Sequence, residues 1–218
     1  TSDPLAERRD LHWSGFQARP SAGSGFSRSG SSDLGGAPVR FDTPAPPGQN
    51  EAVSTSSSID PADLASIEEQ LGRTPRGLLR VAWRCADGSP GVVVTAPRLP
   101  DGTPFPTVYY LTCPLAVAST STLEAQGVMA QMTARLADDA DLAAHYRRAH
   151  LAYLADRRAL GDVPEIDSVS AGGMPTRVKC LHVLVAHALA AGPGVNQLGD
   201  EAVELLKDSP FGACLGAQ

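Results

Sequence analysis

From Arg76 to Cys85 the side chains alternate, with Leu79, Val81, Trp83 and Cys85 on one side and Arg76, Arg80 and Arg84 largely on the other. A period of two is the signature of a half-buried strand. The tract Ala86-Asp-Gly-Ser-Pro-Gly91 is turn chemistry and the β-branched run Val92-Val-Val-Thr95 returns from it, so the spacing predicts an antiparallel hairpin. Residues 96–106 carry Pro97, Pro100, Pro104 and Pro106 and must be an extended connector. Thr107 to Thr112 then reads as a third strand.

Helical spacing dominates elsewhere. Asp60-Pro61 forms a cap and first-turn pair, Leu64, Ile67 and Leu71 follow, and Gly72 stops a short helix over 60–71. After Cys113-Pro114, one helix leads to Gly127 and a second starts at Val128. Residues 139–160 place Leu142, Tyr146, Ala149, Tyr153 and Leu160 on a stripe, with Arg147, Arg148, Arg157 and Arg158 mostly outside it. A loop through Gly161–Pro175 precedes a helix from Arg177 to Ala191, which Gly192-Pro193 ends, and Asp200 can cap a last one to Lys207. Strands followed by helices predict an α+β fold: a small antiparallel sheet of about three strands covered by four or five helices. The expected division is one domain over 59–208 and a frayed tail over 209–218.

Residues 1–58 include 25 Gly, Ser or Pro, and Trp13, Phe16 and Phe26 recur with no period. Such a segment cannot offset its ordering entropy and is expected to be disordered. The first methionine is Met129, so residues 1–52 also read as an upstream extension, with Val53 as an alternative start.

Composition narrows the class. Sixteen Arg against two Lys, with 39 Gly and Pro, suits a high-GC bacterial source. A net charge of −6 gives no reason to expect nucleic acid as a partner. The longest mainly apolar run, Leu181 to Ala191, is interrupted by His182 and His187 and is too short for a membrane span. Four cysteines without an export signal or regular spacing point to reduced thiols in a cytoplasmic protein.

Chemistry is concentrated in Cys and His. Cys113 ends a strand and precedes a helix, a position that suits a thiolate. Cys180 and His187, seven residues apart on one helix, would lie within about 20° of each other on its surface. Cys113, Cys180 and His187 together would offer three ligands to zinc or iron, with Cys85 or water as the fourth. Two other readings stay open: buried thiols with a packed histidine, or a thiol nucleophile at Cys113 or Cys180 activated by His187 or His182. His145 and His150 sit on the polar side of their helix, and Cys214 falls in the tail. Glycines 172 and 173 precede a helix whose first turn would present Thr176, Arg177 and Lys179, an anion seat or simply a flexible entry. The spacing is not that of a Walker loop.

At Pro104-Phe-Pro-Thr-Val-Tyr-Tyr-Leu-Thr-Cys-Pro114, Leu123-Glu-Ala-Gln-Gly127 and Gly172-Gly-Met-Pro-Thr-Arg-Val-Lys-Cys-Leu-His-Val-Leu-Val-Ala-His187, the chain resembles the bacterial domain-of-unknown-function family 501. The resemblance runs from about Asp60 to Lys207. It implies no established activity and transfers no residue roles. In actinobacteria the family's gene lies between those of a septum-formation-initiator-like membrane protein and an exopolyphosphatase-like enzyme. That neighbourhood implies, as an alternative to metal chemistry, an interaction or regulatory module with a protein partner in cell division or envelope biogenesis, or in polyphosphate physiology. The loop Gly194-Val-Asn-Gln-Leu-Gly-Asp200 departs from the family by carrying Gln197 where a proline is expected.

Deleting residues 1–52 is expected to leave the melting temperature unchanged, because a segment that buries nothing stabilises nothing. A shift of more than about 4 °C, near 1 kcal/mol for a domain of this size, would show that it packs on the rest.

Overall fold

The computed structural model describes residues 59–216. The expectation of disorder for 1–58 lies outside them. Three strands, β1 (Leu78–Arg84), β2 (Pro90–Thr95) and β3 (Tyr109–Leu111), form an antiparallel sheet in the order β1-β2-β3. Around it lie α1 (Pro61–Leu71), α2 (Pro114–Ala125), α3 (Val128–Asp138), α4 (Ala140–Leu160), α5 (Leu181–Ala191), α6 (Gln197–Leu205) and α7 (Gly212–Leu215). The α+β class is as the pattern predicts. None of the described helices is long and apolar enough to cross a membrane.

The middle strand β2 is buried at every position, as a continuous β-branched run requires. Both α1 and α5 pack on it. Strand β1 is less regular than its alternation suggests: register shifts fall between Leu78 and Arg80, Val81 and Trp83, and Trp83 and Arg84. Each shift turns the following side chains, and Leu79, expected inside, is 36% exposed. Helix α1 is capped by the Asp60 carboxylate, which accepts from the Ala62 amide at 2.8 Å, and is closed by left-handed Gly72. A two-pronged ion pair ties it to the sheet, with Arg84 Nη1 and Nη2 at 2.7 and 2.6 Å from the Asp63 oxygens.

Two expectations fail for identifiable reasons. The tail is not frayed up to residue 216: Phe211 is fully buried with its ring centroid 5.9 Å from that of Trp83, and the Cys214 carbonyl accepts from the Ala86 amide at 2.8 Å. One large aromatic anchors a short segment that has no helical period of its own. Arg157, expected on the outer face of α4, is 3% exposed. It stands one turn after Tyr153, on the same stripe. Its guanidinium donates to the carbonyls of Pro106 (3.3 Å), Val169 (2.9 Å), Ile166 and Asp167. A charge inside is tolerable because its fork finds acceptors in two different loops. Helix α4 thereby fixes the proline-rich connector and the 161–175 loop together. Its tyrosines do the same for other segments: Tyr153 Oη accepts from the Val108 amide at 2.7 Å, and Tyr146 Oη donates to the Arg177 carbonyl at 3.1 Å.

Replacing Arg157 by Met keeps the stem and removes the fork. Urea unfolding should show a loss of about 2–4 kcal/mol, since several buried carbonyls lose a charged donor at once. An unchanged midpoint would mean that water serves those carbonyls equally well.

Two sulfur clusters and a buried histidine

Cys85, Cys113 and Cys214 meet. Their sulfurs all lie within 4.8 Å of one another, and Cys113 Sγ is 3.8 Å from Cys214 Sγ. Backbone bonds explain the convergence. The Cys85 amide donates to the Ser89 carbonyl at 2.9 Å to tighten the hairpin, while the Thr112 and Cys113 amides donate to the Gly91 carbonyl at 2.9 and 3.3 Å. Helix α2 therefore begins beside the start of β2, and Cys113 is its N-cap residue. Gly91 is needed there, because a Cβ would stand 2.4 Å from the Trp83 ring and 3.4 Å from Cys85 Sγ. Cys85 and Cys113 are buried and Cys214 is half-buried. Burial first, and the neighbouring Cys113 second, push the Cys85 thiol far above the ordinary cysteine range. The Cys214 thiol is raised for the same reasons in the same order. Cys85 and Cys214 thus stay neutral unless a cation joins them.

The second cluster holds Glu124, Cys180 and His182, again with ligand atoms within 4.8 Å. Cys180 is not part of a helix. It is the N-cap residue of α5, with extended backbone at φ −151° and ψ 117°. The wheel that set it on one face with His187 therefore does not apply, and its neighbour is His182, with Nδ1 3.8 Å from Cys180 Sγ. Glu124 Oε1, brought by the end of α2, accepts from the Leu181 amide at 2.7 Å and lies 3.2 Å from His182 Nδ1. On the other side of the ring, Nε2 is 3.2 Å from the Val117 carbonyl oxygen and 3.3 Å from Ser121 Oγ, whose own proton goes to that same carbonyl. A carboxylate on one nitrogen and a carbonyl on the other are both acceptors, so both nitrogens carry hydrogen and the ring is an imidazolium. Burial opposes that charge, but the hydrogen bonds to Cys180 and Glu124 and the attraction of both outweigh it and raise the His182 pKa to about 10.

His187 belongs to neither cluster. It is fully buried, stacked on Tyr109 with centroids 5.6 Å apart and edge-on to Tyr153 at 5.1 Å. Asn196 Nδ2 donates to its Nδ1 at 3.3 Å, while Asn196 Oδ1 accepts from the Gly199 amide at 3.1 Å and caps α6. Burial lowers its pKa to about 4 against a small opposing pull from Asp156. It is a neutral ring that holds a cap. The expected trio of Cys113, Cys180 and His187 is thus divided among three places, and Cys85 joins Cys113. Cys214 was missed by sequence reasoning, and its only signal was the large aromatic at Phe211 three residues earlier.

The anion seat expected at Thr176, Arg177 and Lys179 precedes α5 rather than opening it. All three side chains are at least partly exposed. Backbone amides there are used internally: Arg177 donates to the Gly173 carbonyl at 3.2 Å, Lys179 to that of Gly172 at 2.7 Å, and Val178 to Thr133 Oγ1 at 3.0 Å. The first amide of α5 is taken by the protein's own carboxylate at Glu124.

Fold and clusters together define a small α+β protein with, among the described residues, two separate Cys-containing groups whose ligand atoms are close enough that they could hold a metal ion. Residues 81–204, more than half of the chain, match the family described as "Protein of unknown function (DUF501)", and the chain belongs to that family. Cys85, Cys113, Glu124, Cys180 and His182 lie inside the matched span, whereas Cys214 lies beyond it. No curated protein and no solved structure matches the chain.

The two histidines of α5 should bend the pH–stability curve in opposite senses. His187 takes a proton more readily once unfolded, so its contribution is complete above about 6.5, its ordinary value, and is lost as pH falls toward 4. His182 holds its proton more tightly when folded. Its contribution is complete below about 6.5 and is lost as pH rises toward 10. Denaturant midpoints from pH 4 to 10 should show the acid-side slope vanish in His187→Gln, a difference on the order of 3 kcal/mol. The alkaline slope should weaken in His182→Gln. Parallel curves for parent and variants would contradict both assignments.

Proposed function

We propose that the protein binds a thiophilic transition metal, zinc or iron, through Cys85, Cys113 and Cys214. The carrying observation is the meeting of three sulfurs from the end of β1, the N-cap of α2 and α7, with Cys113 and Cys214 Sγ 3.8 Å apart. Two thiolates on one tetrahedral zinc, each about 2.3 Å from the ion, stand about 3.8 Å apart. Sulfur donors select zinc and iron over magnesium or calcium. The raised thiols supply the energetic sense. Burial holds Cys85 and Cys214 protonated, and a dication that displaces those protons also compensates the buried negative charge.

Three protein ligands leave one position of a tetrahedron for water or a substrate atom, which is the arrangement of catalytic rather than closed structural sites. All four cysteines are free, which supports the cytoplasmic, reducing location we infer for the protein. The site also ties α7 to the hairpin, so metal and fold are linked whatever else the ion does.

Elemental analysis of untagged protein, or of apoprotein titrated with zinc, should give about one equivalent per chain with proton release. Cys113→Ala and Cys214→Ala should each abolish it and lower the melting temperature to nearly the level a strong chelator produces in the parent. The double variant should be little worse than either single one, because ligands act as a unit. Less than about a tenth of an equivalent, with additive losses indifferent to chelator, would leave only the packing of small thiols, worth about 1–2 kcal/mol each.

A further inference from the structure

The Glu124–His182 clasp is complete without sulfur. The carboxylate meets the Leu181 amide and the ring, and the ring meets the Val117 carbonyl. Nothing in that network requires a thiol at position 180. Yet Cys180 Sγ lies 3.8 Å from the cationic ring, at the positive end of α5, and the residue is half-exposed whereas Cys85 and Cys113 are buried. We infer that Cys180, paired with the His182 ring, is a nucleophilic thiol site that forms mixed disulfides with low-molecular-weight disulfides.

The chemistry balances without a further reagent. The Cys180 sulfur attacks one sulfur of the small disulfide, the old S–S bond breaks as the new one forms, and the second sulfur leaves with the electron pair as a thiolate that takes a proton from solvent. The disulfide is the oxidant and Cys180 is oxidised. His182 keeps both its protons and acts by charge. Glu124 has two opposed effects. As an anion near the sulfur it disfavours a second negative charge, but it keeps the ring protonated far into the alkaline range, so the cation is present throughout the neutral region. Arg177 and Lys179 precede Cys180 in the chain and are exposed, which favours disulfides that carry carboxylates.

The fate of the mixed disulfide depends on which groups surround Cys180. Its cluster contains Glu124 and His182, and the other three cysteines form a group of their own. Without an adjacent second thiol the mixed disulfide is not resolved within the chain, so it persists until an external thiol removes it. The site is accordingly one of reversible modification, at the junction of α2 and α5, and it does not depend on the metal reading.

Iodoacetamide labelling followed by peptide mass spectrometry measures each cysteine separately. At pH 6.5 Cys180 in the native full-length protein should react at least about threefold faster than the same cysteine in the urea-unfolded chain, since the adjacent His182 cation is lost on unfolding. The ratio should shrink toward one or below by pH 9, where the unfolded thiol is itself ionised. His182→Gln should abolish the advantage at pH 6.5. Oxidised glutathione should add one equivalent, at Cys180, reversed by dithiothreitol. A native rate no faster than the unfolded one, or a ratio that does not change with pH, would overturn the proposal without reference to any variant. An advantage that survives in folded His182→Gln would overturn the role of the ring. Addition of glutathione at the other cysteines instead of Cys180 would equally defeat it.

Discussion

Helix α5 is apolar around most of its circumference, with Leu181, Leu184, Val185, Ala186, His187 and Ala188 all buried, and a helix of that kind can exist only if other elements enclose it. The three-stranded sheet is too small to do so alone. Helices α2 and α6 complete the enclosure on other sides. Helix α6 comes so close that a Cβ at Gly199 would stand 2.5 Å from the Leu184 carbonyl oxygen and 2.9 Å from Ala188 Cβ. The chemistry of the molecule is distributed along this one enclosed helix or next to the elements that enclose it. Its first turn carries His182, its middle carries His187, and the N-cap of α2 carries Cys113.

Enclosure explains why like residues behave differently. His182 and His187 are five residues apart on one helix, yet one is held charged and the other neutral. Desolvation opposes the charge in both. At His182 that opposition is exceeded because a carboxylate and a carbonyl accept from the two nitrogens; at His187 the partners are two tyrosine rings and an amide group, and with only a small pull from Asp156 they do not offset burial. The same contrast separates Cys180, beside a cation, from Cys85 and Cys214, on which no cation among the described residues acts.

Much of this was legible in sequence. Alternation at 76–85, the β-branched run at 92–95, Asp60-Pro61 and the glycine stops at 72 and 192 act through local geometry, and the hairpin and helices obey them. The illegible parts depend on distant partners. Arg157 reads as surface charge until the carbonyls of two loops are known to surround it. Cys180 reads as helical because Val178, Leu181, Leu184 and Val185 keep a helical spacing, but the amides of Arg177, Val178 and Lys179 are drawn to Gly173, Thr133 and Gly172, so the helix starts only at Leu181. That shift of four residues exchanged the expected partner His187 for His182. Cys214 gave no sign beyond the nearby Phe211, since its place is decided by Phe211 meeting Trp83.

The division of the cysteines into two groups has a physical basis. A sulfur anion inside a protein needs a positive partner, and the fold can supply one from its own side chains or leave room for one from outside. Beside Cys180 the partner is built in, as the His182 ring fixed by Glu124, and a metal ion would have to displace a proton that two acceptors already hold. Among the described residues no cationic side chain acts on Cys85 or Cys214, and burial keeps both protonated. A soft cation there must displace those protons, but it meets no built-in positive partner and itself compensates the buried negative charge. On the readings proposed above, the half-exposed cluster would suit reagents that come and go, the more buried one an ion that stays.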